Sequence, residues 1–150
     1  MPSTHPHSAG PQLAISDQEI EDCFELMREL RPHLQRKAFV HTIRHMEQEG
    51  YRLAFISYKG AVVAVAGYRI TTNLFMGKNF YVDDLVTAEQ QRSKGYGQQL
   101  MTWLRNNAIK ENCQVFHLDS GTHRGLAHKF YFQQGLSIAS YHFSESLKTL

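Results

Sequence analysis

Cysteine is nearly absent. Cys23 and Cys113 are the only two in 150 residues, and they show neither metal-ligand spacing nor the makings of a disulfide framework. A reducing cytoplasm is therefore the simplest compartment. An excess of one charge is also missing. The net charge is +2 with the histidines neutral, too balanced for the basic stripe that nucleic-acid binding requires. No stretch approaches the ~20 apolar residues of a membrane span, and the N-terminus lacks the basic start and apolar run of a signal peptide. Neither a nucleic-acid nor a membrane partner is expected. Of the four prolines, three fall in residues 1–12. Together with His5 and His7 they mark a disordered lead-in, leaving residues 13–150 as one domain. Histidine itself is plentiful, with nine copies, but none sits in a ligand constellation. His41 and His45 lie one turn apart on a helical pattern, yet Thr42 stands where the zinc-helix motif requires Glu, so no metal is expected. Aromatic residues are also ample. Trp103, seven Tyr and nine Phe can fill a sizeable core.

The patterning predicts a short first strand at residues 13–15. Ser16 and Glu19 form a capping box. A helix follows with Ile20, Cys23, Phe24, Met27 and Leu30 at helical spacing, and Pro32 ends it. A second helix spans residues 34–49, with Gly50 as its stop. Residues 51–58 and 61–70 alternate as a hairpin across Lys59 and Gly60, and residues 71–78 read as a loop or ragged strand end. A central strand covers residues 79–87, a helix runs from the turn to about Lys110, and residues 115–119 form a buried strand. A helix over residues 123–134 ends at Gly135, and residues 137–143 alternate as a last strand. Mixed pairings in this order predict a single α/β domain whose mixed central sheet is flanked by helices on both faces.

Arg92-Ser93-Lys94-Gly95-Tyr96-Gly97, followed by Gln98, joins the central strand to the next helix. A basic glycine turn at a helix N-terminus is an anion site. Gly95 and Gly97 remove side chains that would keep a phosphate from the backbone, while Arg92 and Lys94 add charge. The dinucleotide fingerprint would place a third glycine where Leu100 stands, and the P-loop's Gly-Lys-Ser/Thr is missing, which disfavours a nucleotide hydrolase.

The spacing Arg92-x-x-Gly95-x-Gly97 resembles the Gln/Arg-x-x-Gly-x-Gly/Ala signature of the GNAT N-acetyltransferase superfamily. Ala127-His128-Lys129-Phe130-Tyr131-Phe132-Gln133-Gln134-Gly135-Leu136 resembles its Ala-x-x-Phe-Tyr-x-x-x-Gly-Phe segment, about one strand further on. Asp83-Asp84-Leu85-Val86 looks like the strand leading into the turn. The resemblance covers about residues 13–143 and implies a GNAT-like fold, acetyl-CoA as co-substrate, and acetyl transfer to the primary amine of a small-molecule acceptor. It implies that the turn, Arg92 to Gln98, binds the pyrophosphate. A backbone N–H near Leu85 or Val86 would polarise the carbonyl if the family bulge is present, and Thr87 would pair with the pantetheine arm. Many members carry Asn where this chain has Arg124, so the pantetheine contact from that helix differs here. Family members are often dimers, so a homodimer is compatible with the sequence.

Acetyl transfer needs a neutral amine, a polarised carbonyl and a proton for the leaving thiolate. The resemblance implies that Tyr131 donates that proton. A phenol with pKa near ~10 is protonated at neutral pH. On spacing alone Tyr131 reads first as a packing residue beside Phe130 and Phe132, and it is the resemblance that brings the donor role level with that reading. Asp83 and Asp84 are candidates to receive the amine proton. As neighbours on a strand they are expected to face opposite sides, so that only one lines a given pocket. Ser120, His117 and His123 cluster near one junction but lack the strained elbow of a serine nucleophile. The alternative from another class is a non-catalytic acyl-CoA-binding sensor of the same fold.

Overall fold

The computed structural model describes residues 9–148; the part of the predicted lead-in before Ala9 lies outside them. Strands β1 (Ala9–Leu13), β2 (Tyr51–Tyr58), β3 (Ala61–Asn73), β4 (Gly77–Thr87) and β5 (Val115–Leu118) form one five-stranded sheet in sequence order. Neighbours from β1 to β4 pair antiparallel, and β4 pairs with β5 in parallel. Helices α1 (Asp17–Asp22), α2 (Phe24–Leu30) and α3 (Arg36–Gln48) come before β2. Helix α4 (Tyr96–Lys110) makes the crossover to β5, and α5 (Gly125–Gln133) follows it.

The helices divide between the two faces. Ile20, Phe24, Met27, Phe39 and Ile43 bury one side of the sheet with Tyr51, Leu53, Phe55 and Val65. Leu100, Met101 and Leu104 of α4 bury the other with Ile56, Ala66, Tyr68, Phe80 and Val82, and Phe130 and Tyr131 of α5 join that cluster at its margin. The expected architecture is thus present.

Several local expectations are corrected. The first strand is Ala9–Leu13 rather than residues 13–15. Pro11 is tolerated there because β1 is an edge strand with a register irregularity between Ala9 and Gln12. The capping box forms as expected: Glu19 N–H donates to Ser16 Oγ at 3.1 Å and Ser16 N–H to Glu19 Oε1 at 2.9 Å. The helix it starts breaks at Cys23, so α1 and α2 are separate. Residues 71–78 are mostly strand, because β3 and β4 extend to a tight turn at residues 74–76. Residues 137–143 form no strand and no ladder. Alternation makes a strand only where an edge receives it, and both alternating sets are exposed here, including Ile138, Tyr141 and Phe143. Among the described residues no helix is long and apolar enough to cross a membrane.

Candidate functional site

The site starts from a defect in β4. Tyr68 pairs with Val82 and Gly67 with Asp84, so Asp83 is an extra residue with no partner on β3. This is a β-bulge, and it resets the in–out alternation of the strand. The expectation that Asp83 and Asp84 face opposite sides is therefore corrected. Asp84 Oδ2 accepts from the hydroxyl of Tyr51 at 2.8 Å. Asp83 Oδ2 accepts from Arg69 Nε at 3.3 Å, and the Arg69 guanidinium lies over the Tyr51 ring, 5.6 Å from its centroid. Both carboxylates thus lie on the Tyr51 side of the sheet. Gly67 makes this geometry fit: a Cβ there would stand 1.8 Å from Tyr51 Oη. Tyr51 on β2 therefore crosses β3 at its one bare position and reaches β4.

On its other edge β4 pairs with β5 only through residues 79–82, opposite 115–118. Past Val82 the parallel strands part, and a cavity of about 570 Å³ opens between them. Leu30 of α2 and Arg31 just past its end line it, with Asp83, Leu85 and Val86 from β4, Tyr131 from α5, and Arg92 and Arg124 at its wall. The structure therefore brings together Asp83, Leu85, Val86, Arg92 and Tyr131 from among the expected site residues. Asp84 is held just behind them.

Burial pushes the Asp83 carboxyl above the ordinary carboxylate range; Arg69 pulls it down and Asp84 pushes it up again. The two oxygens of Asp84 are both occupied, one by Tyr51 and one by Arg31 Nε at 3.0 Å. Burial, with the Asp84 charge, raises the Tyr51 phenol well above its usual value. Burial also raises Tyr131, against the opposing pull of the Arg124 charge.

The turn before α4 has two left-handed residues, Ser93 at φ 70 and Gly95 at φ 84. Such a turn points successive N–H groups into a concavity. Gly95 is the N-cap and supplies no capping side chain, so the first-turn N–H groups of Tyr96, Gly97 and Gln98 have no carbonyl of their own helix to bond. Arg92 and Lys94 are exposed on the same turn. The two glycines of the turn have different surroundings. A Cβ on Gly95 would meet nothing within 4 Å, whereas one on Gly97 would lie 3.4 Å from Thr87 Oγ1 and from Phe130. Gly97 therefore lies at ordinary packing distance from β4 and α5, where α4 comes close to both. Tyr96 keeps its ring in the core, 6.4 Å from that of Tyr58.

His117, Ser120 and His123 do not make a nucleophile. His117 Nε2 donates to Asn79 Oδ1 at 2.8 Å, a direction fixed because Asn79 Nδ2 already donates to the carbonyls of Thr71 and Gly77. Burial lowers the His117 pKa. The Ser120 hydroxyl is buried without a hydrogen-bond partner among the described residues. Among those residues no group of three or more His, Cys, Asp or Glu converges as a metal site.

Sequence reasoning missed Arg31, Tyr51, Gly67 and Arg69. Two signals were available. Gly67 interrupts an apolar strand, which marks a close approach, and Arg31 precedes Pro32, which turns it out of the helix.

The sequence model of the acetyltransferase (GNAT) family matches residues 18–136. An uncharacterized N-acetyltransferase of Bacillus subtilis, YhdJ, is 31% identical over 130 residues, covering 85% of this chain and 92% of that protein. A Bacillus halodurans structure described as a transcriptional regulator superposes with TM-score 0.83 at 16% identity, covering 94% of this chain and 100% of the other. The aminoglycoside N-acetyltransferase AAC(6')-Iy, with a CoA bisubstrate analogue, superposes with TM-score 0.82 at 12% identity, covering 95% and 99%. These structural likenesses concern the fold, whereas the match over residues 18–136 and the Bacillus subtilis relative concern descent. As the glycine turn and the Phe130-Tyr131 segment implied, the chain belongs to the GNAT acetyltransferase family, a family of acyl-CoA-dependent N-acetyltransferases.

Proposed function

We propose that this protein transfers the acetyl group of acetyl-CoA to the primary amine of a small-molecule acceptor by direct attack. The observation that carries this reading is the free edge of β4 beyond Val82, opening on a cavity that reaches Tyr131. Acetyl-CoA fits the residues present. The Ser93–Gly95 turn and the uncapped N–H groups of Tyr96, Gly97 and Gln98 suit its pyrophosphate, with Arg92 and Lys94 adding charge. The unpaired edge at Leu85, Val86 and Thr87 suits the pantetheine arm, as an added strand would.

Acetyl-CoA supplies the thioester. In this reading the Leu85 or Val86 N–H stabilises charge on the carbonyl oxygen. Tyr131 is the proton donor to the departing sulfur, and its raised pKa keeps it protonated at neutral pH. Between the aspartates the structure favours Asp83 as acceptor of the amine proton. It lines the cavity, and its pKa is shifted toward neutrality, whereas both oxygens of Asp84 are engaged. The cytoplasm, where acetyl-CoA and small amines meet, is the proposed location. The exposed Ile138, Tyr141 and Phe143 favour assembly as a homodimer, which a sedimentation comparison with a chain lacking residues 137–148 checks; an unchanged monomer would remove it.

Thiol release from acetyl-CoA against a panel of polyamines, amino acids, aminoglycosides and peptide N-termini tests the function. Acceptor-dependent turnover is expected. Tight acetyl-CoA binding with no turnover on any amine would make the protein an acyl-CoA sensor instead.

A further inference from the structure

We propose that Arg31 is a positioning residue for this reaction, holding the bulge of β4 in the shape that aims the Leu85 or Val86 N–H at the carbonyl oxygen. The inference rests on the acetyltransferase reading for its kinetic consequence. Arg31 is the last residue before Pro32, and a proline disfavours helical backbone in its predecessor. Arg31 accordingly leaves the helix at φ −125, ψ 77. Its side chain then reaches β4 and makes two bonds from one guanidinium. Nη2 donates to the carbonyl oxygen of Asp83 at 2.9 Å, and Nε donates to Asp84 Oδ1 at 3.0 Å.

The first of these bonds is the informative one. Asp83 is the extra residue of the bulge, and the parallel ladder to β5 has stopped one residue earlier. A half-buried carbonyl that loses its ladder must find another donor, and Arg31 is that donor. The second bond ties the same guanidinium to the next residue's side chain, whose other oxygen is held by Tyr51. Arg69 does not duplicate this role, since it pairs with the Asp83 carboxylate and Glu49. The bulge is therefore gripped by a planar fork from the residue that follows α2 and a phenol from β2. Lysine carries the charge but not the fork, and cannot reproduce both bonds in one plane.

The test compares Arg31→Lys and Arg31→Gln with wild type. It measures kcat, the acceptor KM, acetyl-CoA affinity by calorimetry, and backbone NMR shifts. Both variants should lose at least about tenfold in kcat, the equivalent of about 1.4 kcal/mol of barrier. Acceptor KM and acetyl-CoA Kd should stay within about twofold, the pattern of an interaction used only in the transition state. The carbonyl shift of Asp83 and the amide shifts of Asp84, Leu85 and Val86 should move. A wild-type kcat in Arg31→Gln would overturn the proposal. So would recovery of kcat by lysine, which would make Arg31 a bare charge, or a change confined to acceptor KM, which would make it a substrate contact. If wild type acetylates no amine in the panel, the function fails separately, and an unmoved Asp83 carbonyl in Arg31→Gln would still overturn the grip on the bulge.

Discussion

Gly67→Ala is the smallest change that should disturb the site without touching it. Glycine within a strand is ordinarily unfavourable, and alanine would stabilise by roughly 0.5–1 kcal/mol through chain entropy. At this position the new Cβ would stand 1.8 Å from Tyr51 Oη, 2.3 Å from Cζ and 2.5 Å from Cε2. The ring cannot yield easily, because Tyr51 is 1% exposed and its hydroxyl is bonded to Asp84. Overpacking costs about 1–3 kcal/mol, and losing a hydrogen bond to a charged group about 1.5–3 kcal/mol. The clash outweighs the entropy gain, leaving a net loss of about 2–5 kcal/mol. At ~2–4 °C per kcal/mol for a chain of this size, Tm should fall by roughly 4–20 °C. Denaturant titration and thermal melting measure it. In a Tyr51→Ala background the same substitution should cost almost nothing, because the obstructing ring is gone. A Gly67→Ala protein as stable as wild type, or the same loss in both backgrounds, would refute the packing of Tyr51 across β3.

Other consequences follow from the site. Tyr131→Phe keeps the ring that packs at 5.6 Å from Phe130, so stability and acetyl-CoA affinity should hold while kcat falls on the order of 10²-fold for every amine; a loss confined to one amine would make Tyr131 an acceptor contact. Asp83 must be deprotonated to take a proton, and burial raises its pKa above 3.8, so kcat/KM should fall as pH drops through that raised value. In Asp83→Asn this limb should vanish and the rate fall about 10²-fold; an unchanged limb would assign it to the acceptor's own amine. Gly95→Val forces a β-branched residue to φ 84, disfavoured by about 1–2 kcal/mol, and should weaken CoA binding at least tenfold, about 1.4 kcal/mol. Calorimetry on the folded variant decides it, and an unchanged affinity would remove the turn from the ligand site.

Much of this frame was legible in the sequence because it is local. The Ser16–Glu19 box, the hairpin at Lys59 and Gly60, and the glycine turn opening α4 are set by residues a few positions apart. The register of β4 is not local. Asp83 and Asp84 fit an alternating strand as written, and the extra residue is visible only once Tyr68 and Gly67 choose Val82 and Asp84 as partners. That pairing reversed the expected side of one carboxylate and hid the roles of Tyr51 and Arg31, which lie 33 and 53 positions from Asp84. The surroundings of Gly97 are equally non-local, since its neighbours Thr87 and Phe130 are brought together only by the fold. The tail failed in the other direction, since its alternation is real but no strand edge receives it.

The central claim is that acyl-CoA lies along the free edge of β4 and over the turn that starts α4. Titrating the labelled protein with CoA and following backbone amide shifts tests this most directly. The account predicts that the amides of Leu85, Val86 and Thr87 and of residues 93–98 move together and saturate with one affinity, while those of β1 and α3 stay in place. Saturable shifts confined to other surfaces, or none in β4 and the turn, would contradict it.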